Sequence, residues 1–446
     1  MIKKYEAYKE CRLEWIDNIP SNWNLLKIGR TFNNIGSGTT PKSTEKQFYE
    51  NGTINWLNTG DLNDSYIYST NKKITLKAIE NNSTLRIFPA ESIVIALYGA
   101  TIGKLGYLKI ETTTNQACCV LSNSEKVDQR FLFYYFLAVK EFIISKSYGG
   151  GQPNISQDLI KQLYIATPLI SEQTQITAYL DYQTGLIDAI IEKKELLIQK
   201  LKAQRQAIIN EAVTKGVTSS GVEKPNAPMK DSGIEWLGEI PEHWEVVKLK
   251  FLGESITGIT YSPDDVKEDG LLVLRSSNIQ NGELSLNDTV YVQKEVNQKY
   301  IVQLNDILLC SRNGSRNLIG KNIMIDQRVE NQTWGAFMTV FRSEFNDFLY
   351  FFFNSDIFTA LSSLFLSSTI NQLTIGVLNN MQIAFPKNEE ERKSIIEFLT
   401  ISNKKINSSI NLIEIQLEKL KSYRQSIISE AVTGKIDVRD WQPKNK

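Results

Sequence analysis

Two long stretches of the chain repeat apolar residues with the period of an α-helix. In residues 171–214, isoleucine and leucine recur at three-, four- and seven-residue steps, which places them on one face of a helix. A second stretch near the end of the chain repeats this spacing, and Asn388 with Glu391 forms a capping-box pattern at its start. The pattern predicts two helices of about 44 residues each, which corresponds to a length of ~66 Å.

The two predicted helices end in nearly the same sequence. Residues 205–216 read RQAIINEAVTKG and residues 424–435 read RQSIISEAVTGK, with Glu211 and Glu430 219 residues apart. Gly216 and Gly434 stand where a helix commonly ends in a left-handed residue. This period is too long for a solenoid repeat, so it indicates a duplicated half-molecule.

The duplication also covers the start of each half. Residues 13–29, LEWIDNIPSNWNLLKIG, match residues 234–250, IEWLGEIPEHWEVVKLK, with two tryptophans, a proline and a lysine in register at an offset of 221. The segment PNISQDLIKQLYIATP, which ends at Pro168, likewise parallels NQLTIGVLNNMQIAFP, which ends at Pro386. Both halves therefore follow one plan.

Each half is predicted to begin with an α+β domain. Short β-like runs such as SIVIAL and DILLC alternate with loops rich in Gly, Asn, Ser and Thr, and each half has one aromatic helical stretch, FLFYYFLAVKEFI or DFLYFFFNSDIF. We predict two tandem domains of mixed α/β structure, joined by the two long helices. The predicted boundaries are a first domain at 1–168, a first helix at 169–215, a linker at 216–235, a second domain at 236–386, a second helix at 387–434 and a C-terminal tail at 435–446.

The apolar stripe of each long helix needs a partner, and the other helix is the nearest one. If the halves are related by a pseudo-twofold axis, the same face of each helix meets the other and the pair forms an antiparallel coiled coil. Two independent helices that pack on their own domains remain the alternative. The predicted interface residues are Leu180, Ile187, Ile190, Leu197, Leu201, Leu399, Ile406, Ile413 and Leu420.

The two domains differ most where loops are expected. The first contains ALYGATIGKLGYL and the second LCSRNGSRNLIGKNI, each a strand followed by a Gly-rich turn that ends in Ile-Gly-Lys. Arginine and asparagine side chains suit phosphate oxygens and base edges, although an ordinary hairpin with solvated polar residues has the same composition. The candidate DNA-binding residues are Lys42, Tyr98, Thr101, Lys104, Arg275, Asn278, Arg312, Asn313, Ser315, Arg316, Asn317 and Lys321.

Composition limits the class of protein without naming a partner. The 446 residues include 50 Lys plus Arg and 50 Asp plus Glu, so bulk charge gives no sign of nucleic acid, and 41% hydrophobic content indicates a folded chain. The four cysteines lack zinc-ligand spacing, and Cys118 and Cys119 are predicted to be buried as small apolar residues. No signal peptide or membrane-spanning run is recognisable, so a cytoplasmic protein is expected.

No catalytic or metal-binding motif emerges from the sequence. The two Ile-Gly-Lys loops have the wrong glycine spacing for a phosphate-binding loop and lack Ser or Thr after Lys. Asp264 and Lys267 lie in one exposed turn that the first half lacks, which favours coincidence over a nuclease site. His243, the single histidine, aligns with Asn22 of the other copy, so a general-base role is not expected.

Several of these motifs together resemble the specificity subunit of type I restriction-modification systems. They are the repeated EW…IP..W…K segment, the RNGSRNLIGK loop, the P…EQ helix start at Pro168, which departs to PKNEEER at Pro386, the two helix ends and the terminal GKIDVRDW. The resemblance covers essentially the whole chain. It implies that each variable domain reads one half of a bipartite double-stranded DNA target and that the antiparallel helices set the spacing.

The resemblance also implies partners that carry the chemistry. Two modification subunits would use S-adenosylmethionine to methylate adenine, and two restriction subunits would use ATP and Mg to translocate and cleave DNA. This chain itself would bind no cofactor or metal, would not catalyse a reaction and would dock those subunits through its helices. A protein-interaction scaffold built on a coiled coil, and a nuclease with a site near Asp264, remain as alternatives.

Overall fold

The structure is a computed structural model that describes residues 3–148, 153–217, 228–364 and 371–443. The chain divides into a first unit, residues 1–194 with 414–446, and a second unit, residues 195–413. Half of the predicted linker, residues 218–227, lies outside the described residues. Within the ranges that are described, no helix is both long and apolar enough to span a membrane.

The globular part of the first unit, called the first domain, precedes the first long helix. Its strands are β1 (Tyr8–Leu13), β2 (Ile16–Pro20), β3 (Asn24–Lys27), β4 (Asn34–Gly36), β5 (Ile54–Leu57), β6 (Ser65–Ile67), β7 (Lys73–Ile74), β8 (Ile93–Ala96), β9 (Leu105–Leu108), β10 (Thr113–Thr114), β11 (Cys118–Ser122) and β12 (Tyr164–Thr167). Its helices are α1 (Leu76–Glu80), α2 (Gln129–Ser145) and α3 (Gln157–Gln162), and the long helix α4 (Ile170–Lys215) follows.

The first domain is built on a mixed sheet in the order β4-β11-β8-β9-β6, with a smaller sheet in the order β10-β5-β7 and the pair β12-β3. Helix α2 is the predicted aromatic stretch. It begins after Asp128, whose carboxylate accepts hydrogen bonds from the N–H groups of Arg130 and Phe131. Its aromatic residues join the core with Trp23 and the buried strands, so the aromatic stretch forms the centre of the domain.

The second domain occupies the globular part of the second unit. Its strands are β13 (Met229–Asp231), β14 (Glu239–Pro241), β15 (Glu245–Lys248), β16 (Glu254–Thr257), β17 (Val266–Lys267), β18 (Leu271–Leu274), β19 (Ile279–Gln280), β20 (Glu283–Leu284), β21 (Tyr291–Val292), β22 (Ile307–Cys310), β23 (Asn322–Met324), β24 (Thr333–Trp334), β25 (Met338–Arg342) and β26 (Gln382–Phe385). Its helices are α5 (Asn346–Phe353), α6 (Asp356–Leu364) and α7 (Ile375–Asn380), and the long helix α8 (Glu389–Val432) follows.

The second domain repeats the topology of the first. Its sheet order β16-β25-β22-β23 matches β4-β11-β8-β9, and its parallel pair β18-β24 matches β5-β10. The pair β15-β26 likewise matches β3-β12. The duplication read from the sequence is therefore confirmed at the level of strand order.

One predicted element differs between the copies. The second aromatic stretch forms two helices, α5 and α6, where the first forms the continuous helix α2. Asn354 ends α5 and donates through Nδ2 to the carbonyl of Tyr350, and the Ser355 hydroxyl accepts from the N–H of Phe358 at the start of α6. The Ser355 hydroxyl takes the N–H of Phe358, which in a continuous helix would donate to the carbonyl of Asn354, and this accounts for the break.

The two long helices are confirmed, and segments of them pair within each unit. In the first unit, Arg424 donates through Nε to Asp188 at 2.8 Å, and Lys194 donates to Gln416. Residue numbers thus rise along α4 as they fall along α8, so the paired segments run antiparallel. In the second unit Arg205 donates to Asn407 at 2.8 Å.

The predicted interface residues of the helices are only partly buried. Leu180, Ile187, Leu399 and Ile406 are buried, and Leu201, Ile413 and Leu420 are half-buried. Ile190 and Leu197, however, are each 44% exposed and do not lie on the buried face. Thr177 and Thr184 occupy buried positions instead, because each hydroxyl donates to the carbonyl four residues earlier and so needs no other partner.

The repeated ends of the helices pack into globular cores. Ile427, Ile428, Ala431 and Val432, at the end of α8, belong to the core of the first domain. Ile209, Ala212 and Val213, at the end of α4, belong to the core of the second domain. The repeated segment at the end of each long helix therefore packs in the core of the domain encoded in the other half of the sequence.

Candidate nucleic-acid interface

Both domains form the predicted Gly-rich turn after the equivalent strands β8 and β22. Gly103 and Gly320 have φ angles of +74° and +84°, a region that favours glycine. Each N–H donates across the hairpin at 2.8 Å, to Ala96 in the first domain and to Cys310 in the second. The shared Ile-Gly-Lys pattern thus serves the backbone geometry of the turn. The residues between the strand and the glycine can therefore differ between the two domains.

In the second domain the turn borders a cleft of about 1210 Å³. Of the predicted residues, Arg275, Arg312, Asn313 and Lys321 line it together, although Arg275 is far from the other three in sequence. The structure adds residues that the sequence reasoning missed. They include Tyr261, Ser276, Gln280, Phe337 and Asn371.

Two of the predicted DNA-contact residues form hydrogen bonds that stabilise the wall of the cleft. Asn278 is fully buried and donates through Nδ2 to the carbonyls of Ser285 and Asp288, so it does not face a ligand. Lys321 donates through Nζ to the carbonyls of Ser276 and Ile279 at 2.6 and 2.9 Å, and burial lowers its pKa. These side chains fix the loop that carries Arg275, because buried polar groups need such partners.

The arginines of the cleft are held in different ways. Arg275 donates through Nη2 to Asp288 Oδ1 at 2.8 Å. The guanidinium of Arg312 lies over the ring of Phe337, with 5.1 Å between its carbon and the ring centroid. Phe337 is 58% exposed, which is unusual for a phenylalanine. Phe337 directly follows Gly335 and Ala336 and precedes a buried strand. This position in the sequence is the signal that could have identified Phe337 as a cleft residue.

The remaining predicted residues of this turn are exposed. Ser315 precedes a 3-10 turn, Arg316–Leu318, that begins with Arg316 and Asn317. They do not line the cleft. Asn313, by contrast, is tied in, since its Nδ2 donates to Ser276 Oγ at 3.1 Å and its Oδ1 accepts from the N–H of Ser315.

The predicted residues of the first domain occupy the same end of the fold. Tyr98, Thr101 and Lys104 are half-buried in the turn between β8 and β9, and Lys42 is exposed between β4 and β5. Nearby neutral side chains bond to each other. Thr40 donates to Gln116 at 2.8 Å, and Asn115 donates to Asn58 at 3.3 Å.

The structure gives other roles to the groups considered for catalysis. Asp265, beside Asp264, caps a 3-10 turn by accepting from the N–H of Ser262. His243 Nε2 lies 2.9 Å from Glu391, at the start of α8. All four cysteines are buried and unbonded to each other, as predicted for Cys118 and Cys119, and burial raises the pKa of Cys119 to about 12. In the described part of the chain, no cluster of three His, Cys, Asp or Glu is placed to hold a metal ion.

Comparison with known protein families matches both halves. The model of the type I restriction modification DNA specificity domain matches residues 20–200 and again residues 241–419. The type I restriction enzyme MjaVIII specificity subunit of Methanocaldococcus jannaschii is 27% identical over 459 residues, covering 99% of each chain. The EcoKI specificity subunit of Escherichia coli K12 is 29% identical over 219 residues, 47% of each chain.

Solved structures share the fold at low identity. A chain from the study "Structural basis underlying complex assembly and conformational transition of the type I R-M system" matches with a TM-score of 0.72 at 15% identity, covering 94% of this chain and 99% of that one. The HsdS subunit from Thermoanaerobacter tengcongensis gives a TM-score of 0.50 at 15% identity, covering 94% and 98%. These likenesses support the architecture alone. The family match and the specificity subunits named above do not favour the scaffold or the nuclease alternative.

Proposed function

Because this chain belongs to the type I restriction modification DNA specificity family, we propose that it is the DNA-reading specificity subunit of a type I restriction-modification complex. Each domain reads one half of a bipartite target. The relatives named above are specificity subunits of type I restriction enzymes, and one of them aligns over nearly its whole length.

One observation carries this proposal. Two domains with the same strand order present different side chains at the same end of the fold. Base edges are distinguished by the pattern of donors and acceptors that meets them. A scaffold that both domains share, with different polar loops, is therefore suited to reading two different short sequences.

We propose that the chain reads DNA without catalysing a reaction. In the cleft, Arg275 is bound to Asp288 and Lys321 to loop carbonyls, and burial raises the pKa of Cys310, so that thiol is a poor nucleophile. S-adenosylmethionine, ATP and Mg are accordingly assigned to the partner subunits.

The proposed partners are two modification subunits and two restriction subunits. The repeated halves support the number two, because a duplicated chain offers each type of partner two similar surfaces. The exposed faces of α4 and α8 are the proposed docking surface. A cytoplasmic location follows from this proposal, since the host DNA and the partner subunits lie there.

The proposal is tested by mapping methylated positions genome-wide in cells with and without the full-length chain, in the presence of the host's modification subunits. We expect methylation at one bipartite sequence, lost when the chain is absent. DNA binding by the purified complex is expected to weaken steeply as salt rises, because phosphate contacts release counterions. Loss of the chain without any change in methylation would contradict the proposal.

A separate arm tests the nuclease alternative. The full-length chain alone is incubated with plasmid DNA and Mg²⁺, beside the variant Asp264→Ala. We expect no cleavage from either protein. Cleavage by the parent chain that the variant lacks would assign a nuclease site to this turn and overturn the non-catalytic role.

A further inference from the structure

The backbone defines which loop positions correspond in the two domains. The parallel pair places Leu57 opposite Thr114 in the first domain and Leu274 opposite Trp334 in the second. The residues that follow these strands, Asn58 and Arg275, are therefore equivalent. Both begin a 3-10 turn, and both donate their N–H at 2.8 Å to the side chain three residues later.

A second pair of positions corresponds in the same way. The N–H of Leu97 donates to the carbonyl of Ala117, and the N–H of Ser311 donates to that of Phe337, at 2.8 and 3.0 Å. Tyr98 and Arg312 come next, and each forms an isolated bridge, with Asn154 and Gln372 respectively. Tyr98 is thus equivalent to Arg312, and Ala117 to Phe337.

The two domains differ chemically at these equivalent positions. The second domain has arginine at two positions where the first has asparagine and tyrosine, and it has an exposed phenylalanine where the first has a buried alanine. Arg275 is already bound to Asp288. Among the described residues, no ion pair includes Arg312, which lines the cleft with its guanidinium over the ring of Phe337.

We propose that Arg312, held against Phe337, reads a guanine in the half-site of the second domain, and that the first domain reads its half-site without an arginine at this position. The inference rests on the proposed function. Guanine presents two acceptors, O6 and N7, in the major groove, and the fork of an arginine matches both. Stacking on an aromatic ring restricts the guanidinium before binding, which lowers the entropy lost when both bonds form.

The neighbouring side chains do not compete for this contact. Asn313 is engaged with Ser276 and with the backbone of Ser315, and Lys321 is bound to loop carbonyls. Adenine would require one donor and one acceptor, which an arginine cannot supply. Arg312 therefore selects for guanine rather than for purines in general.

The test uses the full-length chain in complex with its modification subunits and the bipartite sequence found by methylation mapping. Arg312→Ala and Arg312→Lys are compared with Arg328→Ala, a control arginine that is paired with Asp326 outside the cleft. Binding is measured for duplexes in which each base pair is changed in turn. We expect Arg312→Ala to lose about 5- to 150-fold discrimination at one G·C pair in one half-site, with Arg312→Lys intermediate and the control unchanged.

A base analogue checks the atom that is read. Replacing that guanine with 7-deazaguanine removes the N7 acceptor, so it is expected to weaken binding of the parent complex but not to weaken Arg312→Ala further. The inference is overturned if the relaxed position is not a guanine, if both half-sites relax, or if Arg312→Ala weakens all sequences equally with a shallower salt dependence, which marks a phosphate contact. A parent complex with no sequence preference would instead contradict the proposed function.

Discussion

Glu172 and Glu391 occupy equivalent places in the first turns of α4 and α8, and each accepts a hydrogen bond from a buried tryptophan. Trp23 Nε1 donates to Glu172, and Trp244 Nε1 donates to Glu391, both at 2.9 Å. Asn22 and its counterpart His243 also contact these carboxylates, at 3.3 and 2.9 Å, and Tyr5 donates to Glu172 in addition. These bonds explain why the tryptophans recur in register in the sequence.

The capping box predicted at Asn388 forms only in part. The N–H of Glu391 donates to Asn388 Oδ1 at 3.1 Å, as predicted, but the carboxylate of Glu391 is taken by Trp244 and His243. A buried indole N–H without a partner costs free energy, so the tertiary contact takes precedence over the local one.

The glycines after the long helices allow a residue-scale prediction. Gly434 and Gly216 have φ angles of +70° and +78°, so alanine is strained at either position. A Cβ atom at Gly434 would also lie 2.4 Å from Pro20 Cδ, whereas at Gly216 the nearest atom, Trp244 Cζ2, is 3.3 Å away. We expect Gly434→Ala to reduce the free energy of unfolding by about 2–4 kcal/mol and Gly216→Ala by about 1–2 kcal/mol.

Urea denaturation followed by tryptophan fluorescence measures both variants. Gly233→Ala provides a control for the backbone strain alone, because its φ is +71° and a Cβ there would meet no atom within 4 Å. Equal losses for Gly434→Ala and Gly233→Ala would show that the contact with Pro20 relaxes without cost.

At the scale of elements, the end of α8 is a structural part of the first domain. Its last turns bury Ile428 and Val432 completely, and Gln425 donates to the carbonyl of Leu137 on α2. Burial of such side chains contributes about 1.5–3 kcal/mol each. The first domain is consequently completed by residues encoded nearly three hundred positions after α2, as the separation of 288 between Gln425 and Leu137 shows.

This completion predicts a non-local effect of mutation. Ile428→Ala removes a fully buried side chain, so the free energy of unfolding of the first unit is expected to fall by about 2–5 kcal/mol. Hydrogen exchange is expected to accelerate in α2 and to remain unchanged in β22 and β25 of the second domain.

A matched isoleucine on the same helix serves as the control. Ile415 is 46% exposed, so Ile415→Ala is expected to change stability by no more than about 0.5 kcal/mol. Unchanged exchange of α2 in Ile428→Ala would contradict the assignment of the end of α8 to the first core.

At the scale of the whole molecule, both long helices cross from one unit to the other. The boundary falls between Lys194 and Glu195 in α4 and between Ile413 and Glu414 in α8. Because the helices belong to both units, changing their length is the direct way to test the control of half-site spacing that the family resemblance implies.

Seven residues inserted at both boundaries add two helical turns and keep each apolar face in register. The added rise is about 10 Å, which corresponds to about three base pairs at 3.4 Å each. We expect methylation to move to a target whose spacer is longer by that amount while both half-site sequences stay the same. Genome-wide methylation mapping measures the change.

The same seven residues placed in the predicted linker, residues 216–235, provide the control, and they are expected to leave the target unchanged. An insertion in both helices that still methylates the parent site would contradict the role of the helices in setting the spacing.

The sequence by itself determined the features that depend on neighbours along the chain. The period of apolar residues predicted the bounds of α4 and α8 to within a few residues, and the repeated sequence segments indicated the duplication. Gly216 and Gly434 marked the helix ends because a left-handed residue is a local requirement. Arg312 was a candidate contact because its loop carries several polar residues.

The tertiary structure alone decided which side chains are used and where. It buried Asn278, tied Lys321 to loop carbonyls, exposed Ile190 and Leu197, and brought Phe337 beside Arg312. Each outcome depends on contacts between residues far apart in sequence, which periodicity and composition do not encode. For the same reason the sequence showed that the two helices end alike, but only packing showed that each end completes the domain of the other half.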